Sequence, residues 1–382
     1  MTARASSRVD DAPLHLGEPQ NEELKIAIVH DYLTQRGGAE RVVLALMEAF
    51  PNARLITSLY NAGGTFPEFA QYEIETLWTN RVGTFRRDAR RALPFLRQAF
   101  SRHHIDGVDA VVCSSSGWAH GVRSTAPRIV YCYNPARWIY QPEEYLAEHG
   151  LLVRLVNAAF VKRLRANDIA AAHSASSYLT LSNVVAERIE RRYGIRPRIV
   201  PPPVSLNPGG PWEPVPTLKP GFFLCVGRGR GYKNVSAVCE AIEASPGERL
   251  AVVGPLPPGD WSTRIVSIEN ASDSELRWLY GNCVAVVAAA FEDFGLTPVE
   301  GYVFGKPALC LQRGGFLDTM RDGVTGVFFN EPTGNSIAAA IQRFRQCTFD
   351  TASIEAHGSE FSPQNFAAKL RSAVREALAA AG

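Results

Sequence analysis

A chain of 382 residues, 46% hydrophobic and 20% charged, has the composition of an ordinary globular protein and the length for two domains, each with its own core. Collagen-like, disordered and disulfide-scaffold classes are excluded. The net charge of +2 divides into 25 Lys/Arg against 20 Asp/Glu up to residue 200 and 15 against 18 beyond it. That balance excludes a uniformly basic nucleic-acid binder but leaves room for a local anionic partner.

Residues 1–24 are polar, contain proline and have no period, so a flexible tail without the apolar run of a secretory signal is expected. From Lys25 short β-branched runs alternate with longer amphipathic stretches. Strands are predicted at Lys25–His30, Arg54–Leu59, Asp109–Ser114, Arg128–Tyr133, Tyr178–Ser182 and Arg198–Pro201. Helices are predicted among them at Gly38–Phe50, Leu151–Ala172 and Val184–Tyr193. Residues 201–220 hold eight prolines and form a linker between a first domain at 25–200 and a second at 221–361. In the second domain strands are predicted at Gly221–Gly227, Arg249–Gly254, Ile265–Ile268, Cys283–Ala290, Ala308–Gln312 and Gly326–Phe329. Helices fall at Asn234–Ala244, Ser274–Tyr280 and Asn335–Arg345. A last helix, Pro363–Ala380 within 362–382, is expected to pack back on the first domain. Apolar strands alternating with helices predict an α/β fold of two Rossmann-like, doubly wound parallel-sheet domains facing a central cleft, with the ligand between them.

Seven cysteines without CxxC or metal-ligand spacing are expected to be reduced core thiols of a cytoplasmic protein, with no metal site. The longest apolar run, Cys283 to Phe291, has nine residues and is too short to span a bilayer.

Three segments have the residue types for chemistry. In Cys283–Gly305 an apolar strand ends before the loop Glu292–Leu296, and a helix with Thr297 as N-cap and Pro298 at its first position follows. Glu292 then stands at the carboxyl end of a strand, where open α/β sheets bind ligands. Thr297 and Glu300 have capping-box spacing, so Glu300 could serve either the helix end or a ligand. In Phe222–Asn234 a buried strand runs into Gly227-Arg228-Gly229-Arg230-Gly231 with Lys233 after it. Glycine lets the backbone approach a phosphate closely, and the cations supply fixed positive charge. Neither a dinucleotide fingerprint nor a Walker lysine is present. In Ile26–Val42 a strand leads through Gly37-Gly38 into a helix whose N-terminal N–H groups favour an anion.

Taken in order, GGAERV at 37–42, VGRGRGYKN at 226–234, FEDFGLTPVEGYVFGKP at 291–307 and GGFLDTMRDGVTG at 314–326 resemble the motifs of retaining glycosyltransferases of family four, which have the GT-B fold. Glu292 and Glu300 stand at that family's E-x7-E spacing, and Arg228 and Lys233 at its R-x4-K spacing. The likeness covers roughly residues 25–345. SSSGWAHGV at 114–122, RIVYCYNPARWIY at 128–140 and YLTLSNVVAERIERRYG at 178–194 resemble bacterial polysaccharide mannosyltransferases. Two departures stand out: Tyr133-Asn134-Pro135 replaces a triplet that usually begins with His, and Asp318 stands where Glu is commoner.

The resemblance implies transfer of a hexose, mannose from GDP-mannose, to a glycan or lipid-linked acceptor, with retention and with no cofactor or obligatory metal. Arg228 and Lys233 would neutralise the donor diphosphate, and Glu292 would bond sugar hydroxyls. Backbone around Phe294, Gly295, Leu296 and Thr297, with Gly37 and Gly38, would hold phosphate and hexose, and Glu300 the ribose. Tyr133, Asn134, Arg137 and His120 are candidates for the acceptor side of the cleft. A sugar-nucleotide epimerase of the same fold and a non-catalytic sugar-nucleotide sensor are the alternatives. Glu292 and Glu300 as a glycosidase pair fit less well, since such carboxyls must face each other across a sugar.

Arg81–His104 holds seven arginines, one acid and interleaved Phe85, Leu93, Phe95, Leu96 and Phe100. Such a segment either lies on an anionic bilayer or packs its apolar side into the core.

Overall fold

The computed structural model describes residues 24–140, 151–216, 218–227 and 233–381, with residues 151–160 described by backbone alone. The expected tail lies almost wholly outside the described residues. In chain order the first half contributes strands β1 (Ile26–His30), β2 (Arg54–Thr57), β3 (Ile74–Thr76), β4 (His104–Ile105), β5 (Ala110–Ser115), β6 (Arg123–Ser124), β7 (Arg128–Cys132), β8 (Ser177–Thr180) and β9 (Arg198–Ile199). The second contributes β10 (Phe222–Val226), β11 (Leu250–Val253), β12 (Ile265–Ile268), β13 (Cys283–Ala288), β14 (Ala308–Leu311) and β15 (Gly326–Phe329).

Two open parallel sheets result. The first has the order β3-β2-β1-β5-β7-β8-β9 and the second β12-β11-β10-β13-β14-β15, while β4 and β6 pair separately. The central strands β1, β5 and β7 are buried at every residue, as parallel strands covered by helices on both faces must be. Where an apolar run continues into a loop the predicted strand overruns the real end by one or two residues, as at β7, which stops at Cys132, and β13, which stops at Ala288; β5 instead runs one residue past its predicted end, to Ser115. The short edge strand β3 and the helix Thr351–Ser359 escape prediction because neither has a sustained apolar period.

In each sheet the chain reverses its direction of growth once. It moves outward from β1 through β2 and β3, then returns to lay β5 on the other side of β1. The same occurs in the second sheet between β10 and β13. A crevice opens at the carboxyl ends of strands at such a switch point. His30, Asp31, Ser114 and Ser116 lie at the first crevice; Gly227 and Ala289–Glu292 lie at the second.

Residues 201–216 run without helix or strand, but they are held: Val204 donates its N–H to Phe361 O at 2.9 Å, and Val204 and Leu206 are buried. The Pro363–Ala381 helix lies against the Gly38–Ala49 helix and β7 of the first domain. Arg371 donates to Ala49 O at 2.8 Å, and Phe366 meets the Tyr131 ring edge-on. No helix among the described residues is long and apolar enough to cross a membrane.

Candidate active site

A cavity of about 830 Å³ lies between the two switch points. Its lining brings together Gly37, Gly38, Tyr133 and Arg137 from the first domain with Lys233, Glu292, Phe294, Gly295, Leu296, Thr297 and Glu300 from the second. Arg228 falls outside the described residues. Asn134 is buried beside this cavity, with its amide directed at Asp293.

On the second-domain wall, Lys233 and Glu292 form an ion pair, each side chain about one-fifth exposed. The lysine follows β10 in sequence and immediately precedes Asn234. Asn234 has a left-handed backbone (φ 52) and ties the start of the following helix to the end of β13 through a hydrogen bond from Nδ2 to Ala289 O of 2.8 Å. The loop after β13 is shaped by close contacts to glycine. Gly295 has φ 88, and a Cβ there would meet the Phe316 ring at 2.3 Å. A Cβ on Gly315 would meet Phe294 Cα at 2.3 Å.

The helix that follows runs Leu296–Tyr302 with Gly295 as N-cap, and no side chain caps it. Thr297 is therefore not the N-cap, and no Thr297–Glu300 capping box forms. Pro298 occupies the third helical position, where a missing N–H costs nothing. Glu300 Oε2 instead accepts a hydrogen bond from Tyr280 Oη at 2.6 Å, from the neighbouring helix Asp273–Asn282.

On the first-domain wall, the Gly38–Ala49 helix begins at Gly37, whose backbone is extended (φ −127). A Cβ on Gly38 would reach Leu296 Cδ1 at 3.8 Å, so the two loops meet across the cavity. Behind this wall Asp31 accepts from the backbone N–H groups of Ser116 (2.6 Å), Trp118 (2.9 Å) and Ala119 (2.8 Å). That buried carboxylate fixes the loop after β5 to the end of β1. Tyr133 donates to Ala39 O at 3.1 Å and lies 2.8 Å from Ser114 Oγ. Burial pushes its phenol well above the ordinary range, so it stays neutral and can serve only as a hydrogen-bonding group.

His120 does not belong to this cavity. It is 3% exposed and turned into the first domain, with Nε2 at 3.2 Å from Asp168 Oδ1 and Nδ1 at 3.3 Å from Ser115 Oγ. Tyr140 and Tyr193 donate to the other oxygen of Asp168, at 2.9 and 2.8 Å. The expected acceptor-side role of His120 is not met, because the 3-10 turn Ala119–Gly121 that carries it turns its ring into the first domain.

The two domains are tied by carboxylates of the second. Asp293 accepts from Asn134 Nδ2 at 3.0 Å and is paired with both Arg137 and Arg188, while Ser182 Oγ donates to its backbone carbonyl. Asp318 accepts from Asn183 N at 2.7 Å and from Asn183 Nδ2 at 2.6 Å. The departure from Glu at 318 thus coincides with a cross-cleft bond of fitting length. Sequence reasoning missed Asp31, Glu40, Asp293 and Arg188. The first two follow directly on a strand end and a glycine turn, a position that itself flags them; the pairing of Asp293 with Arg188 is set by tertiary geometry alone.

Within the Arg81–His104 segment, the single amphipathic stretch breaks into the helices Gly83–Arg87 and Leu93–Arg102 with a short 3-10 turn between. Leu96 and Phe100 enter the core. Phe95 and Trp78 remain outside, 42% exposed each, with Phe85 stacked on Phe95 at 5.4 Å.

Residues 212–354 match the family model of glycosyl transferases group 1. A segment of 119 residues, 30% of this chain, is 30% identical to the alpha-1,3/1,6-mannosyltransferase ALG2 of Dictyostelium discoideum, covering 28% of that protein. A 74-residue segment, 19% of the chain, is 34% identical to a glycogen synthase of Pseudomonas syringae pv. tomato and covers 15% of it. The matches thus span under a third of these relatives' length. The structure superposes on the lipopolysaccharide outer core galactosyltransferase WaaB in its apo form with a TM-score of 0.62, over 92% of this chain and 99% of that one at 17% identity. It superposes on Anabaena HepE in complex with UDP with a TM-score of 0.65, over 92% and 100% at 14% identity. Two facing parallel sheets thus give the chain the GT-B fold, and its second half, over residues 212–354, carries the sequence pattern of glycosyl transferases group 1.

Proposed function

We propose that this chain is a retaining glycosyltransferase that moves a hexose, mannose from GDP-mannose, onto a glycan or lipid-linked acceptor. The observation that carries the proposal is the Lys233–Glu292 pair at the second switch point, opposite the Gly37-Gly38 helix start and lining the same interdomain cavity. Lys233, with Arg228, neutralises charge that develops on the leaving diphosphate, the kind of preorganised electrostatic term that dominates transfer chemistry. The Gly37-Gly38 turn and the backbone of Phe294–Thr297 receive phosphate and hexose, Glu292 bonds sugar hydroxyls, and Glu300, held by Tyr280, reaches the ribose. Tyr133, Asn134 and Arg137 face the acceptor. No cofactor or metal takes part in this scheme. The segment shared with a mannosyltransferase supports the choice of sugar, and the relative solved with UDP supports a nucleoside diphosphate as leaving group.

Trp78 and Phe95, exposed among the arginines of 81–102, support contact with an anionic cytoplasmic bilayer surface where a lipid-linked acceptor would lie. Incubating the chain with GDP-mannose and a lipid-linked glycan extract, and following release of GDP and the anomeric configuration of the product by NMR, tests the proposal. An α-linked mannosyl product is expected. A product of inverted configuration, or GDP-mannose left intact while another nucleotide sugar is consumed, would remove retention or mannose respectively.

A further inference from the structure

Glu40 belongs to the cavity wall and has no part in the scheme above. It sits in the first turn of the Gly38–Ala49 helix, lines the cavity, and is 1% exposed. A glutamate at this position commonly folds back to cap its own helix. Here Oε2 accepts no hydrogen bond from any described residue, so it does not cap. Gly37 accommodates it: a Cβ at 37 would come within 2.6 Å of Oε2. The extended backbone of Gly37 would suit any residue, so the glycine is required for space and not for its dihedral angle.

The hydrogen bonds behind Glu40 fix which of its neighbours can donate to it. Tyr133 spends its only O–H on Ala39 O, 3.1 Å away. The Ser114 hydroxyl, 2.8 Å from the Tyr133 oxygen, must then be the donor to it. Ser114 Oγ and its own carbonyl are left to accept from His30 Nδ1, at 2.9 and 3.1 Å. His30 Nδ1 therefore carries a proton, and Nε2 faces Glu40 Oε1 at 4.0 Å, too far for a hydrogen bond. The chain of donors ends before it reaches Glu40. A buried carboxylate oxygen with no donor is costly, and it persists where a ligand supplies one.

We infer that Glu40 receives a hydrogen bond from a hydroxyl of the sugar substrate, with His30, Ser114 and Tyr133 holding the neighbouring wall. The inference rests on the proposed glycosyl transfer. The ligand chemistry is a sugar hydroxyl, which can come from the hexose of the donor or from the acceptor glycan.

Three measurements on the full chain separate these sources: binding of GDP, binding of GDP-mannose, and transfer kinetics, with UDP-glucose and ADP-glucose against their diphosphates as further pairs. In Glu40→Gln, the affinity for the free diphosphate should be unchanged. If the donor hexose is the ligand, the extra affinity that the sugar adds over the diphosphate falls about tenfold or more, as expected for a bond to a charged group. If the acceptor is the ligand, that increment is kept and the acceptor KM rises by a similar factor. A buried capping glutamate would lose stability on amidation, whereas this variant should keep or raise the Tm of the free protein. Glu40→Ala repeats both measurements in a side chain of high helix propensity should the amide fold poorly. An unchanged sugar increment together with an unchanged acceptor KM in both variants would overturn the inference. Failure of the wild-type chain to bind any nucleotide sugar would overturn the proposed function first, and this inference with it.

Discussion

Lys233 and Glu292 follow different strands of the second sheet, Lys233 beyond β10 and Glu292 in the loop after β13, and they form an ion pair. Their pairing gives the cavity a cation held in place by its partner and not by bulk solvent. Lys233→Ala should lower transfer by about a hundredfold or more, with the Tm nearly unchanged, as is usual when one charge-stabilising donor is removed. Turnover within tenfold of wild type would deny Lys233 that role. The cysteines make a separate prediction. Six of the seven are buried and Cys347 is exposed. Burial pushes Cys113, Cys225 and Cys283 up to about 12. In the unfolded chain such thiols ionise near ~8.5. Below that value both states hold the proton and stability is unaffected. As pH rises from about 9 towards 12 the unfolded state releases protons that the folded state retains, so stability falls. A thiol reagent at pH 8 should label one cysteine quickly in the native protein and all seven in denaturant. Rapid native labelling of more than one would contradict the packing around these strands.

At the scale of elements, the loop Phe291–Gly295 is built by backbone fit more than by side-chain bonds. Gly295→Ala would put a methyl at a left-handed position and into the Phe316 ring. The backbone alone costs roughly 1–2 kcal/mol there, and the clash adds to it. The variant should show a lowered Tm and weakened diphosphate binding together. A stable variant with full binding would mean the loop adjusts freely. Much of this level was legible in the sequence. Apolar runs locate the central strands because buried parallel strands need no alternation. The helix start itself was misplaced by two residues, because capping rules choose Thr297 while the left-handed Gly295 starts the helix without a side-chain cap. His120 shows the complementary limit: its place in the chain does not say on which side of the layer its ring lies, and the ring faces Asp168 inside the first domain.

For the whole molecule, Asp293 is the tie between the two domains that gathers the most partners. Two arginines, an asparagine and a serine of the first domain converge on this one residue, next in sequence to Glu292. Closing the cleft and placing Glu292 are therefore coupled. Asp293→Ala should shift the molecule towards an open form, seen as a larger radius of gyration by small-angle scattering, with the acceptor KM raised. An unchanged scattering profile would show that Asp318 and the Pro363–Ala381 helix suffice to hold the domains. Two parallel sheets with a cavity between them could be anticipated from the alternation of strands and helices. The ties across the cleft could not, since Asp293 and Arg188 stand 105 positions apart and neither carries a local signal. The charge division behind the net +2 acquires a structural sense here, because first-domain arginines meet second-domain carboxylates along the cleft. Nucleotide-sugar binding at that cleft is best judged by thermal shift of the wild-type chain and Lys233→Ala with GDP-, UDP-, dTDP- and ADP-sugars. GDP-mannose should raise the wild-type Tm by mass action and leave the variant's almost unmoved; no shift with any sugar nucleotide, or equal shifts in both proteins, would contradict the proposed function.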